Sequence, residues 1–268
     1  MAVIRVEASN PEFSPNNTMY YTLHSSFLDG RSDVCIYNVL AEGSDVPIIF
    51  LLHGVYGSQW VWMHLGGVHH VYERLRHQGL GDFILVMPSD GGYKAGSAYL
   101  PIATSEGVKN YEAWIIEDVR ASVIENVCNV SNKSKIYLCG LSMGGYGALR
   151  LGAKYVDLIH GISAHSAVTN LDDLAHFLDY SINVYIGQDH METSIIHWLL
   201  SNSECLPPIR FDCGLSDRLI QSNINLSKKL TDEGISHIFE KNNGGHNWSY
   251  WHTNIAKTLC FFNRLHYG

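Results

Sequence analysis

The chain reads as one doubly wound α/β unit, a mostly parallel sheet covered by helices on both faces, and three observations carry that reading. Short apolar runs alternate with stretches of helical period along the 268 residues, the order that builds a parallel sheet. The run Pro47-Ile48-Ile49-Phe50-Leu51-Leu52 is apolar throughout, as a strand buried on both faces must be. The strand-like stretch Lys135-Ile136-Tyr137-Leu138-Cys139 leads through Gly140-Leu141-Ser142-Met143-Gly144 into a helix-like one, so a tight strand-to-helix turn is expected at Ser142.

Taken in chain order, residues 20–28 and 34–41 form an antiparallel hairpin that turns at Asp29-Gly30 and makes the edge of the sheet. Parallel strands follow at 48–52, 83–87, 136–139, 159–163, 209–212 and 237–240. Helices are expected over 61–77, 111–127 and 216–231. In the last helix Trp248, Trp251, Ile255, Leu259 and Phe262 recur at three- and four-residue steps, a stripe that faces a core. The longest irregular insertion, about 166–207, lies where a small cap would sit over the serine. Leu178, Ile195, Trp198 and Leu199 could pack such a cap, and ordinary surface helices account for them equally well. No repeat or low-complexity linker divides residues 1–268, so a single domain is expected.

Composition narrows the classes of function. With 46% hydrophobic residues the chain can bury a sizeable core. A net charge of −8 argues against a nucleic-acid partner, which calls for a basic patch. There is no long apolar span for a membrane, and Met1-Ala2-Val3-Ile4-Arg5-Val6-Glu7 lacks the basic start and apolar centre of a secretory signal, so a cytoplasmic location is expected. The six cysteines are scattered without a C-x-x-C spacing; neither disulfides nor zinc are expected, and Cys139 and Cys213 suit buried strand positions. His69 and His70 are the most visible histidine pair, but adjacent residues on a helix diverge by about 100° and do not chelate together. No metal and no cofactor are implied, and self-association as a homo-oligomer is left open.

The chemistry-bearing residues lie at expected strand ends. Gly140 and Gly144 permit the strained turn that exposes the Ser142 hydroxyl, and the Met143 N–H, at a helix N-terminus, can help hold an oxyanion. A serine hydroxyl needs a base and an acid to become a nucleophile. His246 follows the strand Ser236-His237-Ile238-Phe239-Glu240, and Asp217 follows Pro208-Ile209-Arg210-Phe211-Asp212-Cys213-Gly214. Ser142, Asp217 and His246 thus stand in the chain order of α/β-hydrolases, at the strand ends that line the crevice of an open parallel sheet. Asp212, Asp189 and Glu240 compete with Asp217 as the acid, Asp212 most closely. The loop His53-Gly54-Val55-Tyr56-Gly57 after the first parallel strand offers the Val55 N–H as a second oxyanion donor, with His53 as a structural residue rather than a base.

His53-Gly54 with Gly57, Met87-Pro88-Ser89-Asp90-Gly91, Gly140 to Ala148, Cys213-Gly214 with Asp217, and Gly245-His246 resemble the esterase D/putative esterase family of α/β-hydrolases over most of the chain. The resemblance implies a triad of Ser142, Asp217 and His246, with Val55 and Met143 supplying the oxyanion hole. It implies a cofactor-free serine carboxylesterase acting on a small-molecule ester through an acyl-serine intermediate. The family also holds acetyl-xylan and feruloyl esterases, S-formylglutathione hydrolases and mycolyltransferases. The alternatives are therefore a carbohydrate ester deacylase, an S-formylglutathione hydrolase or an acyltransferase, and least of all a non-catalytic binding domain. S-formylglutathione hydrolases usually carry a Ser-Gly-Leu-Thr-Cys-type stretch where this chain has His53-Gly54-Val55-Tyr56-Gly57.

For the substrate, Tyr56, Trp60 and Trp62 follow the Val55 loop and are expected to crowd the acyl group and favour short chains. Tyr93, Tyr99 and Leu100, in the loop after strand 83–87, are a second candidate wall. Trp248, two residues past His246, can reach the pocket besides packing the core.

Overall fold

In the computed structural model, which describes residues 3–186 and 189–268, the apolar runs become strands in the expected places. The strands are β1 (Val3–Ala8), β2 (Thr18–Ser25), β3 (Gly30–Tyr37), β4 (Ile48–Leu52), β5 (Ile84–Pro88), β6 (Pro101–Thr104), β7 (Gly107–Asn110), β8 (Ile136–Leu141), β9 (Ile159–His165), β10 (Ile209–Gly214) and β11 (Ile238–Asn242). Nine of them form one sheet in the order β1-β2-β3-β5-β4-β8-β9-β10-β11, and β6 pairs with β7 apart from it. The first three strands are antiparallel, β3 meets β5 antiparallel, and every pair from β5 to β11 is parallel. Every residue of β4, β5, β8 and β10 is buried, as strands covered on both faces require.

The helices are α1 (Val61–His64), α2 (Val68–Arg76), α3 (Tyr111–Ala113), α4 (Arg120–Asn126), α5 (Met143–Lys154), α6 (Asn183–Ile186), α7 (His190–Thr193), α8 (Ile195–Ser201), α9 (Ile220–Asp232) and α10 (Trp248–Tyr267). A π-helical stretch, Trp114–Val119, joins α3 to α4. Alternation along β4 divides the core in two. Ile48, Phe50 and Leu52 face one layer with Trp114, Leu149 and Leu226, while Ile49 and Leu51 face the other with Val71, Tyr72, Ile255 and Leu259. The stripe of α10 is buried as expected, with Trp248 at its margin. Among the described residues no helix is long and apolar enough to cross a membrane.

Several expectations are corrected. The hairpin of β2 and β3 forms at Asp29-Gly30, but β1 lies outside it and takes the edge; its exposed positions give no alternating apolar signal. The helix expected over 61–77 breaks into α1 and α2 at Gly66-Gly67, where Gly67 has φ 59° and a Cβ on Gly66 would lie 2.9 Å from the Trp248 ring. The helix expected from 216 begins at Ile220, because 214–219 is used by a turn closed by the Asp217 N–H on the Gly214 carbonyl. Ile195 and Leu199 are buried in the main core rather than in a separate cap. Arg150 of α5 reaches the insertion through the Glu192 carbonyl and carboxylate, at 3.1 and 3.0 Å, and Lys154 and Glu112 complete the ionic cluster.

The passage from β8 into α5 is the tightest contact in the sheet. A Cβ on Gly140 would lie 2.0 Å from the Gly144 carbonyl oxygen, and one on Gly144 would lie 2.2 Å from the Leu52 carbonyl oxygen, so backbone would have to move in either case. Gly144→Ala is expected to lower stability by about 3 kcal/mol or more, at the upper end of overpacking costs; the midpoint of urea unfolding measures it, and an unchanged midpoint would show that α5 can shift freely.

Candidate active site

Ser142 sits at the turn from β8 into α5 with φ 53° and ψ −118°, a backbone conformation that a non-glycine residue adopts under strain. The turn is fixed by the Ser142 N–H donating to the His165 carbonyl at 3.0 Å and the Val168 N–H donating to the Ser142 carbonyl at 3.1 Å. The side chain is 2% exposed. Its Oγ lies 3.0 Å from His246 Nε2, and His246 Nδ1 lies 2.9 and 3.1 Å from the two carboxylate oxygens of Asp217. Residues 104 and 29 positions apart thus form one hydrogen-bonded row.

The Asp217 loop follows β10 and the His246 loop follows β11, adjacent parallel strands, and the Ser216 N–H donates to the Gly244 carbonyl to hold the loops together. Asp217 is 3% exposed. Burial pushes its carboxyl up, but the His246 hydrogen bond and charge, with the Leu219 N–H at 2.9 Å, outweigh burial and hold it below the usual carboxylate range. The Phe177 ring stacks on the His246 imidazole at 4.5 Å between centroids and 29° between planes, and Trp251 meets it edge-on at 5.0 Å.

The competing acids have other partners. Asp212 is fully buried within β10, against Arg210 at 2.7 Å, His165 Nδ1 at 2.9 Å and the Tyr250 hydroxyl at 2.7 Å. Burial raises its pKa, while His165, Arg210 and Tyr250 lower it to about 2. Asp189 caps α7 and Glu240 pairs with Arg210 and Lys257. His53 spends both ring nitrogens on structure: Nδ1 donates to the Gly54 carbonyl at 2.7 Å, and Nε2 accepts the Asp90 N–H at 3.0 Å. It has no free nitrogen with which to act as a base.

The Val55 loop approaches Ser142 closely, since a Cβ on Gly54 would lie 3.2 Å from Ser142 Cβ. Met143 is the first residue of α5, so its N–H has no acceptor within the helix. Val55, Ser142 and His246 line one cleft of about 300 Å³ with Tyr56, Leu65, Phe177, Trp248 and Trp251. Tyr56 and Trp248 are therefore where the sequence suggests, and two other expected substrate residues are not. Trp62 is 1% exposed and lies in the core beneath the cleft, its indole N–H on the Leu52 carbonyl; Trp60 is 43% exposed at the start of α1 and does not line the cleft. Tyr99 and Leu100 are also core residues, with the Tyr99 hydroxyl donating to the His53 carbonyl. Sequence reasoning missed Phe177, which comes from the insertion with no motif around it, and assigned Trp251 to the core stripe alone. His69 and His70 stack at 3.9 Å, and among the described residues no group of three or more histidines, cysteines or carboxylates could hold a metal ion.

The sheet order and the helices on both its faces are those of the α/β-hydrolase fold. The chain's membership is narrower than that class: residues 25–262 match the family described as "Putative esterase", and the chain belongs to it. It is an esterase, an enzyme of carboxylic ester bonds. The chain is 28% identical over 244 residues to an acetyl esterase of Caldicellulosiruptor saccharolyticus, covering 84% of this chain and 86% of the relative. Its fold is similar to that of a ferulic acid esterase, with a TM-score of 0.79 and 23% identity over 92% of this chain and 98% of the other. It is similar too to an S-formylglutathione hydrolase from Staphylococcus aureus, with a TM-score of 0.76 and 18% identity over 96% and 99% of the two chains.

Because the folded-state pKa of Asp212 is depressed, the stability it contributes is present above the unfolded value near 4 and is lost as pH falls toward about 2. Asp212→Asn is expected to cost about 3 kcal/mol or more at neutral pH, since it removes the buried carboxylate shared by Arg210, His165 and Tyr250 and leaves the Arg210 charge to the half-exposed Glu240 alone. Urea unfolding at several pH values should show the variant losing less stability than the wild type between pH 4 and 2; parallel curves would contradict the assignment.

Proposed function

We propose that the protein hydrolyses short-chain acyl esters by acyl transfer to Ser142, with His246 as general base and acid and Asp217 as its orienting acid. The observation that carries this reading is the row Asp217–His246–Ser142, in which the imidazole bonds to both neighbours through opposite nitrogens. His246 Nε2 accepts the Ser142 proton as Oγ attacks the ester carbonyl, and the imidazolium is stabilised by Asp217. The N–H groups of Val55 and Met143 take the developing oxyanion. Nε2 then returns the proton to the leaving alcohol. Water enters, gives its proton to His246, and the acyl-serine breaks down to free acid and Ser142.

The cleft supports a small acyl group. Its walls are bulky side chains, Tyr56, Leu65, Phe177, Trp248 and Trp251, and the similarity to an acetyl esterase points the same way. Of the insertion 166–207, we assign the capping role to the turn that carries Phe177, with α8 serving to anchor it on α5.

With p-nitrophenyl acetate, Ser142→Ala should lose activity by about 10⁴-fold or more while keeping its fold, and Asp217→Asn should lose several kcal/mol of transition-state stabilisation. Labelling with a fluorophosphonate should add one adduct, at Ser142; near-normal turnover in Ser142→Ala, or an adduct elsewhere, would sink the mechanism.

Across p-nitrophenyl esters of increasing length, kcat/KM should rise while each buried methylene adds about 0.8 kcal/mol and fall beyond butyryl, where the rings are met. Trp248→Ala should move that break to longer chains. Activity climbing steadily to decanoyl would mean an open cleft.

A further inference from the structure

Phe177 is touched by the chain neighbours of two of the residues assigned above and by a third of them directly. The Tyr56 hydroxyl, next to Val55, donates to the Phe177 carbonyl at 3.3 Å. Arg218, next to Asp217, lies 5.4 Å from the Phe177 ring centroid and donates to the preceding carbonyl, that of His176, at 2.8 Å. The ring itself stacks on His246. The short 3₁₀ turn that ends at Phe177, Leu171–His176, is anchored by buried Leu174 and by Asp173, whose carboxylate accepts the Ser222 hydroxyl of α9 at 2.9 Å and the Thr169 N–H at 3.0 Å.

An imidazole hydrogen-bonded at both nitrogens can still tip about the line joining them. Here Phe177 covers one face and the Trp251 edge closes in from another direction, so tipping is blocked. The aromatic face also presents negative charge density to the ring that becomes cationic when it accepts the Ser142 proton. We propose that Phe177 is a positioning residue of the esterase site, holding His246 in plane with Asp217 and Ser142 and stabilising its imidazolium through the stacked face. This rests on the assignment of His246 as the base. It gives the insertion a part in the chemistry itself, besides roofing the cleft.

The groups facing His246 are Asp217 from the loop after β10, Ser142 from the turn after β8, Trp251 from α10 and Phe177 from the insertion. Arg218, and His176 in edge contact at 6.4 Å, are the charged and titratable groups next to the Phe177 ring. Replacing the ring by an aliphatic group of similar bulk leaves all of these in place and removes the π face.

The test compares Phe177→Leu with Phe177→Tyr in the full chain, following kcat and kcat/KM for p-nitrophenyl acetate from pH 5 to pH 9. The acidic limb of kcat/KM reports the base. A stacked face that favours the charged imidazole raises the midpoint of that limb, so Phe177→Leu should shift it to lower pH and lower kcat about tenfold, with KM changed less. Phe177→Tyr, which keeps the face, should restore both. A leucine variant with the wild-type midpoint and kcat, or a tyrosine variant no better than leucine, overturns the proposal. If Phe177→Leu does not fold, Tyr56→Phe frees the Phe177 carbonyl without touching the ring; an acidic limb moved to lower pH supports the proposal and an unmoved one overturns it. Ser142→Ala separates the two levels. If it stays active the hydrolase mechanism itself fails, whereas an inactive Ser142→Ala beside a normal Phe177 series removes only the role of the ring.

Discussion

The geometry of this protein hangs on how closely a helix can approach the strands beneath it. α5 lies so near β4 and β8 that neither Gly140 nor Gly144 has room for a Cβ, and Ser142 between them is driven into a left-handed conformation. The strain is held by two backbone hydrogen bonds, the Ser142 N–H on the His165 carbonyl of β9 and the Val168 N–H on the Ser142 carbonyl. The same approach starts α5 directly after Ser142, which lines the cleft, and the dipole of the helix favours negative charge at that end. A looser turn would lose the position of the Ser142 hydroxyl and that of the Met143 N–H together.

Two aspartates five residues apart, Asp212 and Asp217, divide the electrostatic work. Asp212 is a strand residue and meets only buried groups, so it pairs with Arg210 and His165 of the sheet and with Tyr250 of α10. Asp217, just past the strand, meets a residue at the cleft. Two carboxylates of one type acquire different functions from a difference of a few residues in their relation to a strand end, which is why the acid was the least certain of the three positions in the sequence.

Much of the sheet was legible because its signals are local. The all-apolar runs at β4 and β5 announce burial on both faces, and the Gly-x-Ser-x-Gly turn is recognisable from five residues. Ser142, His246 and Val55 were expected just past strand ends, and they line one cleft. β1 was not legible, because an edge strand with mostly exposed side chains has no alternation to read. Trp60 and Trp62 were misread because nearness in sequence to Val55 says nothing of direction: α1 turns Trp62 into the core. Phe177 could not have been found, since its contacts come from residues 121 and 69 positions away, Tyr56 and His246.

The ionic cluster of Arg150, Lys154, Glu112 and Glu192 fastens the insertion to the helix that begins just after Ser142. Ser142 and the cleft wall at Phe177 therefore share one mount. Among the described residues between the ring at Phe177 and the anchor at Glu192, Tyr185 is buried in the main core and bonds the Gly96 carbonyl, so the segment is pinned at its middle as well as at its end. A change in how it is pinned would reshape the wall of the cleft while leaving the ladders of the sheet as they are.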